Sequence, residues 1–459
     1  MTGSSQAPRR AGARTWLLRN VLLPLGDVAF HQGLMKRLRF LEEAQYWDAE
    51  RIRAFREQSL SALMKTCYEQ VPYYRERMDA AGIDWRQIRT QEDLRRIPIS
   101  TKDDLRAAYP HRVVRDTGQA TYETCTSGSS GVNFRVREDA ETAGTYRATF
   151  LLSLEWAGWQ IGEPHFQNGM NLGRSLDRVI KDAILRCHYV SAFDTSDAQL
   201  DKCLDLIERR RIRHLWGYPG GLYYLARRAR EKGWNQPMTS VVTWGDNLYQ
   251  HYRSTVEEVF RRRVTDTYGC GEGFQLAAQC GHGTHYHMHD LDVMLDFVDP
   301  DGNPVPPGQD GDVIVTRLHP GPMPLVRYRV GDRAIPSASA GCPCGRNFAL
   351  LEGVQGRDTD VIVTPDGNRL IVHFFTGILE YFGEIDSFQV VQTDPDRMIV
   401  RIVPAPDHPY TPELGKRIVS RLVEHGATGI RIEVEPVAEI PVPKSGKRRF
   451  VISEVARRA

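Results

Sequence analysis

No stretch of the 459 residues approaches the roughly 20 consecutive apolar residues needed to cross a bilayer. The longest apolar run near the start, Trp16 to Phe30, is broken by Arg19, Pro24 and Asp27 and lacks a small-residue cleavage site, so neither an anchor nor a secretion signal is expected. Charge of one sign is missing too. With 60 Lys plus Arg against 58 Asp plus Glu, the formal net charge of +2 argues against a general nucleic-acid or membrane-surface binder. Cysteine follows no disulfide pattern: most of the eight are scattered, as in a reduced cytoplasmic protein, and only Cys342 and Cys344 are close enough to share a task. No internal repeat or low-complexity tract occurs. What remains, 41% hydrophobic, 26% charged and 9% aromatic, is the composition of a folded protein of about two to four domains.

Residues 1–15 are polar and basic and read as a mobile tail. From Asp48 to Met78, Ile52, Phe55, Leu60, Leu63, Met64 and Cys67 recur at helical spacing until Val71-Pro72 ends the helix. In IPISTKDDL, Ser100 three residues before Asp103 predicts a capped helix start. Beyond Thr121, short β-rich runs such as VVTWGD (241–246), DVMLDFVD (292–299) and GDVIVTR (311–317) alternate with helices and glycine turns, which predicts an α/β body with some antiparallel hairpins. The turn-rich segment 299–311 reads as a loop joining two of these strands. After GRDTD (356–360) the pattern restarts as a small α+β unit. The expected division is therefore a body over 16–355, a hinge at 356–360 and a C-terminal domain over 361–459.

The most unusual string is Thr126-Ser127-Gly128-Ser129-Ser130-Gly131, hydroxyls and glycines only. Glycine exposes backbone N–H groups, and with the hydroxyls these can wrap a polyphosphate. Gly131 is followed by Val132 and Asn133 rather than by Lys-Ser/Thr, so the string is not a P-loop of the kinase or GTPase kind. Four strings follow it in order: TYGCGE (267–272), RYRVGD (327–332), GRDTD (356–360) and PVPKSGKRRF (441–450). This ordered set resembles the adenylate-forming ligase superfamily, in particular the branch of phenylacetate-CoA ligases and capsule-cluster proteins. VPYYR (71–75), IPISTKDDLR (97–106) and GYPGGLYYLA (217–226) are similar to that branch as well, so the resemblance runs from about Asp48 to Phe450.

The resemblance implies a large multi-subdomain α/β adenylation body and a small hinged α+β C-terminal domain. It implies ATP-dependent activation of a carboxylic acid as acyl-AMP with release of pyrophosphate. The acyl group would then pass to a thiol, of CoA or a carrier protein, or to a small amine. Charge builds on phosphate oxygens in such a reaction and must be neutralised. The implied roles match that demand. Thr126–Gly131 would hold the departing phosphates. Glu272 would bind Mg²⁺, a hard cation that prefers carboxylate oxygen. Tyr268 and Gly269 would lie at the adenine, Gly245 and Asp246 beside the nucleotide, and Asp332 would accept hydrogen bonds from both ribose hydroxyls. Arg357 would lie near the ribose and phosphates. Lys447 would swing in to meet the α-phosphate and the attacking carboxylate, then swing away. Trp216, Tyr218, Trp244 and Phe274 offer aromatic walls for an apolar or aromatic acid.

A second site follows a different logic. Three thiolates and an imidazole make a closed set that suits structural Zn²⁺. With the resembling branch as guide, Cys280, His287, Cys342 and Cys344 are the expected ligands. His285 and His282 are the nearest rivals, since alternation in a strand puts His285, His287 and His289 on one face. The chain also departs from the branch. The phosphate loop lacks a lysine, Gly271 replaces a hydroxyl residue, and TPDGNRL stands where a loop usually meets the pantetheine arm, which counts against CoA. A non-catalytic nucleotide- or acyl-binding relative is therefore the competing expectation. Neither nucleic acid nor membrane is an expected partner, and a homodimer is an open option.

Overall fold

The structure, a computed structural model, describes residues 12–126, 134–169, 175–192, 195–339, 341–355, 361–370, 372–379, 381–405, 407–440 and 450–455. Ser127, Gly128, Ser129, Ser130 and Gly131 of the phosphate loop, the 356–360 hinge with Arg357, and Lys447 lie outside the described residues. Described structure begins before the limit expected for the tail. A helix starts at Ala13, Thr15 is buried, and Arg14 donates to the Ile184 carbonyl at 3.1 Å, so 13–15 are held by packing.

The long amphipathic helix spans Ala49–Gln70, and Asp48 caps it by accepting from the Arg51 N–H. Its end follows from Pro72, which forces Val71 into extended backbone and then opens a second helix, Pro72–Ala80, at the position where a missing N–H costs nothing. The next expected cap falls one residue off. Thr101, not Ser100, caps helix Lys102–Ala108, in a capping box with Asp104. Ser100 is bound elsewhere: its backbone N–H donates to Arg327 O and its carbonyl accepts from Arg329 N–H, both at 2.9 Å. These two bonds anchor the start of that helix to the sheet.

Strands β1 (Thr121–Thr126) and β2 (Phe134–Asp139) pair as an antiparallel hairpin, with Thr126 opposite Phe134. An eleven-stranded sheet organises the rest of the body. Five of its strands are parallel: β3 (His165–Gly169), β4 (Cys187–Ser191), β5 (His214–Gly217), β6 (Ser240–Thr243) and β7 (Val264–Gly269). β5 and β6 are buried at every residue, as expected where helices cover both faces of a parallel sheet. The remaining six run antiparallel to their neighbours: β8 (Gln275–Gln279), β9 (Tyr286–Met288), β10 (Val293–Val298), β11 (Gly311–Arg317), β12 (Tyr328–Pro336) and β13 (Leu350–Gln355). The sheet order is β10-β11-β12-β13-β9-β8-β7-β6-β5-β3-β4, so β7 is where parallel pairing turns antiparallel. The 299–311 loop joins the β10–β11 pair, as its turn residues predict.

One contact locks the parallel half. The Asn168 side chain accepts from the Tyr218 N–H at 2.8 Å, and its Oδ1 lies where a Cβ on Gly217 would stand, only 1.6 Å from it. Glycine at 217 is therefore a matter of space rather than of flexibility.

The C-terminal segment carries β14 (Ile362–Val363), β15 (Arg369–Leu370), β16 (Ile385–Asp394), β17 (Arg397–Pro404), β18 (Arg431–Pro436) and β19 (Val451–Ser453), with helices Val372–Leu379 and Pro412–Glu424. β18-β17-β16-β19 form a four-stranded sheet. Its apolar core, with Phe375, Val390, Val400, Ile418 and Val451, is built from residues 362–451 alone. Among the described residues, polar contacts tie it to the body. Arg106 pairs with Asp386 at 2.5 Å, and Asn368 Oδ1 accepts from the Thr195 N–H and hydroxyl at 3.1 and 2.9 Å.

Candidate active site and metal centre

Open α/β sheets bind ligands outside the carboxyl ends of their parallel strands, where backbone turns leave polar groups exposed. Most of the motif residues cluster there. Tyr218 follows β5, Trp244, Gly245 and Asp246 follow β6, and Gly269 ends β7 with Glu272 just beyond. Gly245 has φ +77°, and a Cβ there would meet the Tyr218 ring at 2.7 Å, so the turn holds Tyr218 close. A surface cavity of about 510 Å³ lined by Arg253, Arg261, Arg262 and Arg263 holds none of these residues. It sits at the amino end of β7, opposite the motifs.

Glu272 is buried and doubly engaged at one oxygen. Its Oε1 accepts from the Tyr328 hydroxyl at 2.6 Å and lies 3.5 Å from Lys102 Nζ. Lys102 sits 5.9 Å over the Phe134 ring, and Phe134 stacks on Tyr328 at 5.8 Å. The first residue of β2, Phe134, is thereby packed beside the carboxylate expected to bind metal. Sequence reasoning missed Lys102, which lies 170 positions from Glu272, although it stands in the quoted phrase IPISTKDDLR.

Tyr268 donates its hydroxyl to Asp332 at 3.1 Å, which joins the end of β7 to the middle of β12. Burial, with Asp332 second, pushes the Tyr268 pKa well above the phenol range, so it remains a donor. The Tyr328 pKa is raised for the same two kinds of reason, burial and the Glu272 charge. Behind these residues Asp266 accepts from Thr243 at 2.5 Å and Tyr286 at 2.6 Å, and burial raises its pKa to about 6.

The four aromatic positions divide. Tyr218 and Trp244 are partly exposed and meet edge to face at 6.4 Å. Trp216 is core: it stacks on His165 at 3.8 Å and abuts Trp159 at 4.8 Å. Phe274 is fully buried, 5.7 Å from Tyr146.

The cysteine and histidine positions converge from three places in the chain. Cys280 follows β8, His287 lies in β9, and Cys342 and Cys344 come from the loop between β12 and β13. Their donor atoms all fall within 4.8 Å of one another. Individual separations are 3.6 Å for Cys280 Sγ to Cys342 Sγ and 3.4 Å for His287 Nε2 to both Cys280 Sγ and Cys344 Sγ. A tetrahedron with metal–sulfur bonds of about 2.3 Å and a metal–nitrogen bond of about 2.0 Å has edges of roughly 3.5–3.8 Å, so the donor set fits a four-coordinate soft-ligand cation. His282 and His285 lie outside this set. His289, expected on the same strand face, instead meets Ser153 Oγ at 3.2 Å and stacks on Trp156.

Residues 362–454 match the family model described as the CapK C-terminal domain. Over 435 residues the chain is 24% identical to the phenylacetate-coenzyme A ligase of Thermus thermophilus, an alignment covering 88% of this chain and 96% of that one. It is 25% identical over 359 residues to the phenylacetate-coenzyme A ligase of Escherichia coli, covering 70% and 75%. Among solved structures it is similar to 2-hydroxyisobutyryl-CoA ligase with 2-HIB-AMP and CoA in the thioesterification state. That likeness has a TM-score of 0.57 at 20% identity and covers 91% of this chain and 94% of that one.

Proposed function

We propose that this chain, an adenylate-forming ligase by its fold and its phenylacetate-CoA ligase relatives, activates a carboxylic acid with ATP and passes the acyl group to a thiol. The carrying observation is the convergence of Glu272, Lys102, Tyr328, Tyr268 and Asp332 at the carboxyl end of β7 and the neighbouring β12. CoA is the favoured acceptor, supported by the names of the relatives over 88% of the chain, even though TPDGNRL departs from the usual pantetheine-contacting loop. A carrier protein or an amine would use the same first step.

ATP bound with Mg²⁺ supplies an electrophilic α-phosphorus and a leaving pyrophosphate. The chain's own residues do the rest. Glu272 offers carboxylate oxygen to the cation, and Lys102 beside it supplies the positive charge that the phosphate loop lacks at 132 and 133. Asp332, oriented by Tyr268, receives the ribose hydroxyls, and Tyr218 and Trp244 wall the acid. Thr126–Gly131 and Arg357 attend the phosphates, and Lys447 meets the α-phosphate and the attacking carboxylate. Cys280, His287, Cys342 and Cys344 would hold a structural Zn²⁺.

Acid-dependent exchange of labelled pyrophosphate into ATP, run across aromatic, aliphatic and hydroxy acids, tests this reading. At least one acid should stimulate exchange. Uniform absence of exchange, together with tight AMP or ATP binding, would favour the non-catalytic relative instead. In the exchanging enzyme, Asp332→Ala should raise the KM for ATP about tenfold to a hundredfold, the value of losing hydrogen bonds to a charged acceptor. Its KM for the acid should move little, and a change confined to the acid would remove Asp332 from the ribose.

A further inference from the structure

The cavity of about 510 Å³ at the amino end of β7 is walled by four guanidinium groups, from Arg253, Arg261, Arg262 and Arg263, against one carboxylate, Glu257. Its remaining lining side chains, an amide and a hydroxyl, are neutral. Helix Gln250–Phe260 and the turn that leads from it into Val264 supply all four arginines, and three of them are consecutive.

The acidic groups nearby are already committed. Glu257 Oε1 accepts from Arg253 Nη1 at 3.1 Å and from the Val264 N–H at 3.0 Å. Glu258, next on the helix, is paired with Arg230 at 2.9 Å. Arg261 reaches only the neutral amide oxygen of Asn235, at 2.8 Å. Arg262 and Arg263 make no hydrogen bond or ion pair among the described residues. Four guanidinium charges less one carboxylate leave three without a counter-charge in one concavity. The carboxyl end of the helix does not balance them, because its dipole is equivalent to only about half an elementary charge. Its last carbonyl, that of Phe260, is also taken by the Met238 N–H at 2.9 Å.

A cleft lined by one sign of charge concentrates the opposite ion. Guanidinium forks match phosphate oxygens two at a time, and several such forks suit a group that carries several negative charges in a small space. The volume is that of a small-molecule site rather than of a polymer groove. Part of the wall is already fixed. Arg253 is mostly buried and held by the Val264 carbonyl at 2.8 Å and Gln279 Oε1 at 2.9 Å, so little side-chain freedom is lost when it meets an anion.

We propose that this cavity binds a small molecule bearing condensed phosphate, at a place separate from the site of the proposed reaction. None of its residues belongs to that site. Free pyrophosphate and the phosphate tail of a nucleotide share the required chemistry, and two arms of one experiment tell them apart.

Equilibrium dialysis of the full chain with labelled inorganic pyrophosphate, without added Mg²⁺, is the test. The wild type should bind an equivalent that Arg262→Ala with Arg263→Ala weakens about tenfold to a hundredfold, the value of losing charge-assisted hydrogen bonds. Lys102→Ala should leave that equivalent in place. Arg263 is exposed, and Arg263→Glu alone should weaken it at least tenfold, which keeps the test decisive if the double variant does not fold. Unlabelled ADP that displaces the label would assign the cavity to a nucleotide tail, and ADP that leaves it would assign the free anion. Equal binding by the wild type and both arginine variants would overturn the proposal, as would an absence of binding in the wild type. Loss of all binding in Lys102→Ala would overturn it too, since the pyrophosphate would then lie beside Glu272. Acid-dependent exchange should persist in the arginine variants, so failure here and failure of the proposed reaction are read separately.

Discussion

Lys447→Ala is expected to lower acid-dependent ATP–pyrophosphate exchange about a hundredfold to a thousandfold, the usual effect of removing one group that stabilises charge in a transition state. The same variant should convert supplied acyl-AMP to thioester within about threefold of the wild-type rate, because under the proposed function the lysine would act only in the first half-reaction. SGKRR falls, in sequence, within a segment whose apolar core is drawn from residues 362–451, the arrangement a turning C-terminal domain requires. Arg106 to Asp386 and Asn368 to Thr195 are polar contacts between that segment and the body. Equal loss in both half-reactions would mean that one arrangement of the two parts serves both steps. Arg106→Ala gives an independent check, since weakening the observed arrangement should alter the two half-reaction rates unequally.

The second large effect concerns the metal. Purified protein should contain about one equivalent of zinc, and Cys344→Ser should lose it together with about 5–10 °C of melting temperature, because metal binding and local folding are coupled. The loop between β12 and β13 supplies two of the four donors, and β9, only three residues long, supplies a third. Tyr286 and Met288 anchor β9 in the apolar core, so loss of the cation should fall mainly on the loop, where three adjacent sulfurs would then face one another. Chelation of the wild type should reproduce the Cys344→Ser melting curve. Full zinc content with an unchanged melt in Cys344→Ser would overturn the assignment.

How much of this was legible in the sequence depends on distance along the chain. Cys342 and Cys344 announce themselves by spacing, and TYGCGE and RYRVGD are compact strings that the fold carries to strand ends. The Lys102–Glu272 pair had no such signal, because 170 positions separate residues that meet only once Ser100 is bonded to β12. Aromatic residues near a site are equally ambiguous in sequence. Trp216 and Trp244 look alike there, yet one is clasped by His165 and Trp159 and the other reaches the strand end. The cap at 101 rather than 100 turned on a tertiary hydrogen bond that local propensity does not encode.

Asn168 and Gly217 carry a consequence for the history of the chain. Since the Asn168 amide occupies the volume that any side chain at 217 would need, the two positions cannot drift separately. A descendant that gains alanine at 217 must first shorten residue 168, and in doing so gives up the acceptor that orients Tyr218 at the mouth of the site. Across divergent members of the lineage the pair should therefore change together or not at all, and substitutions at 168 should coincide with altered acid preference.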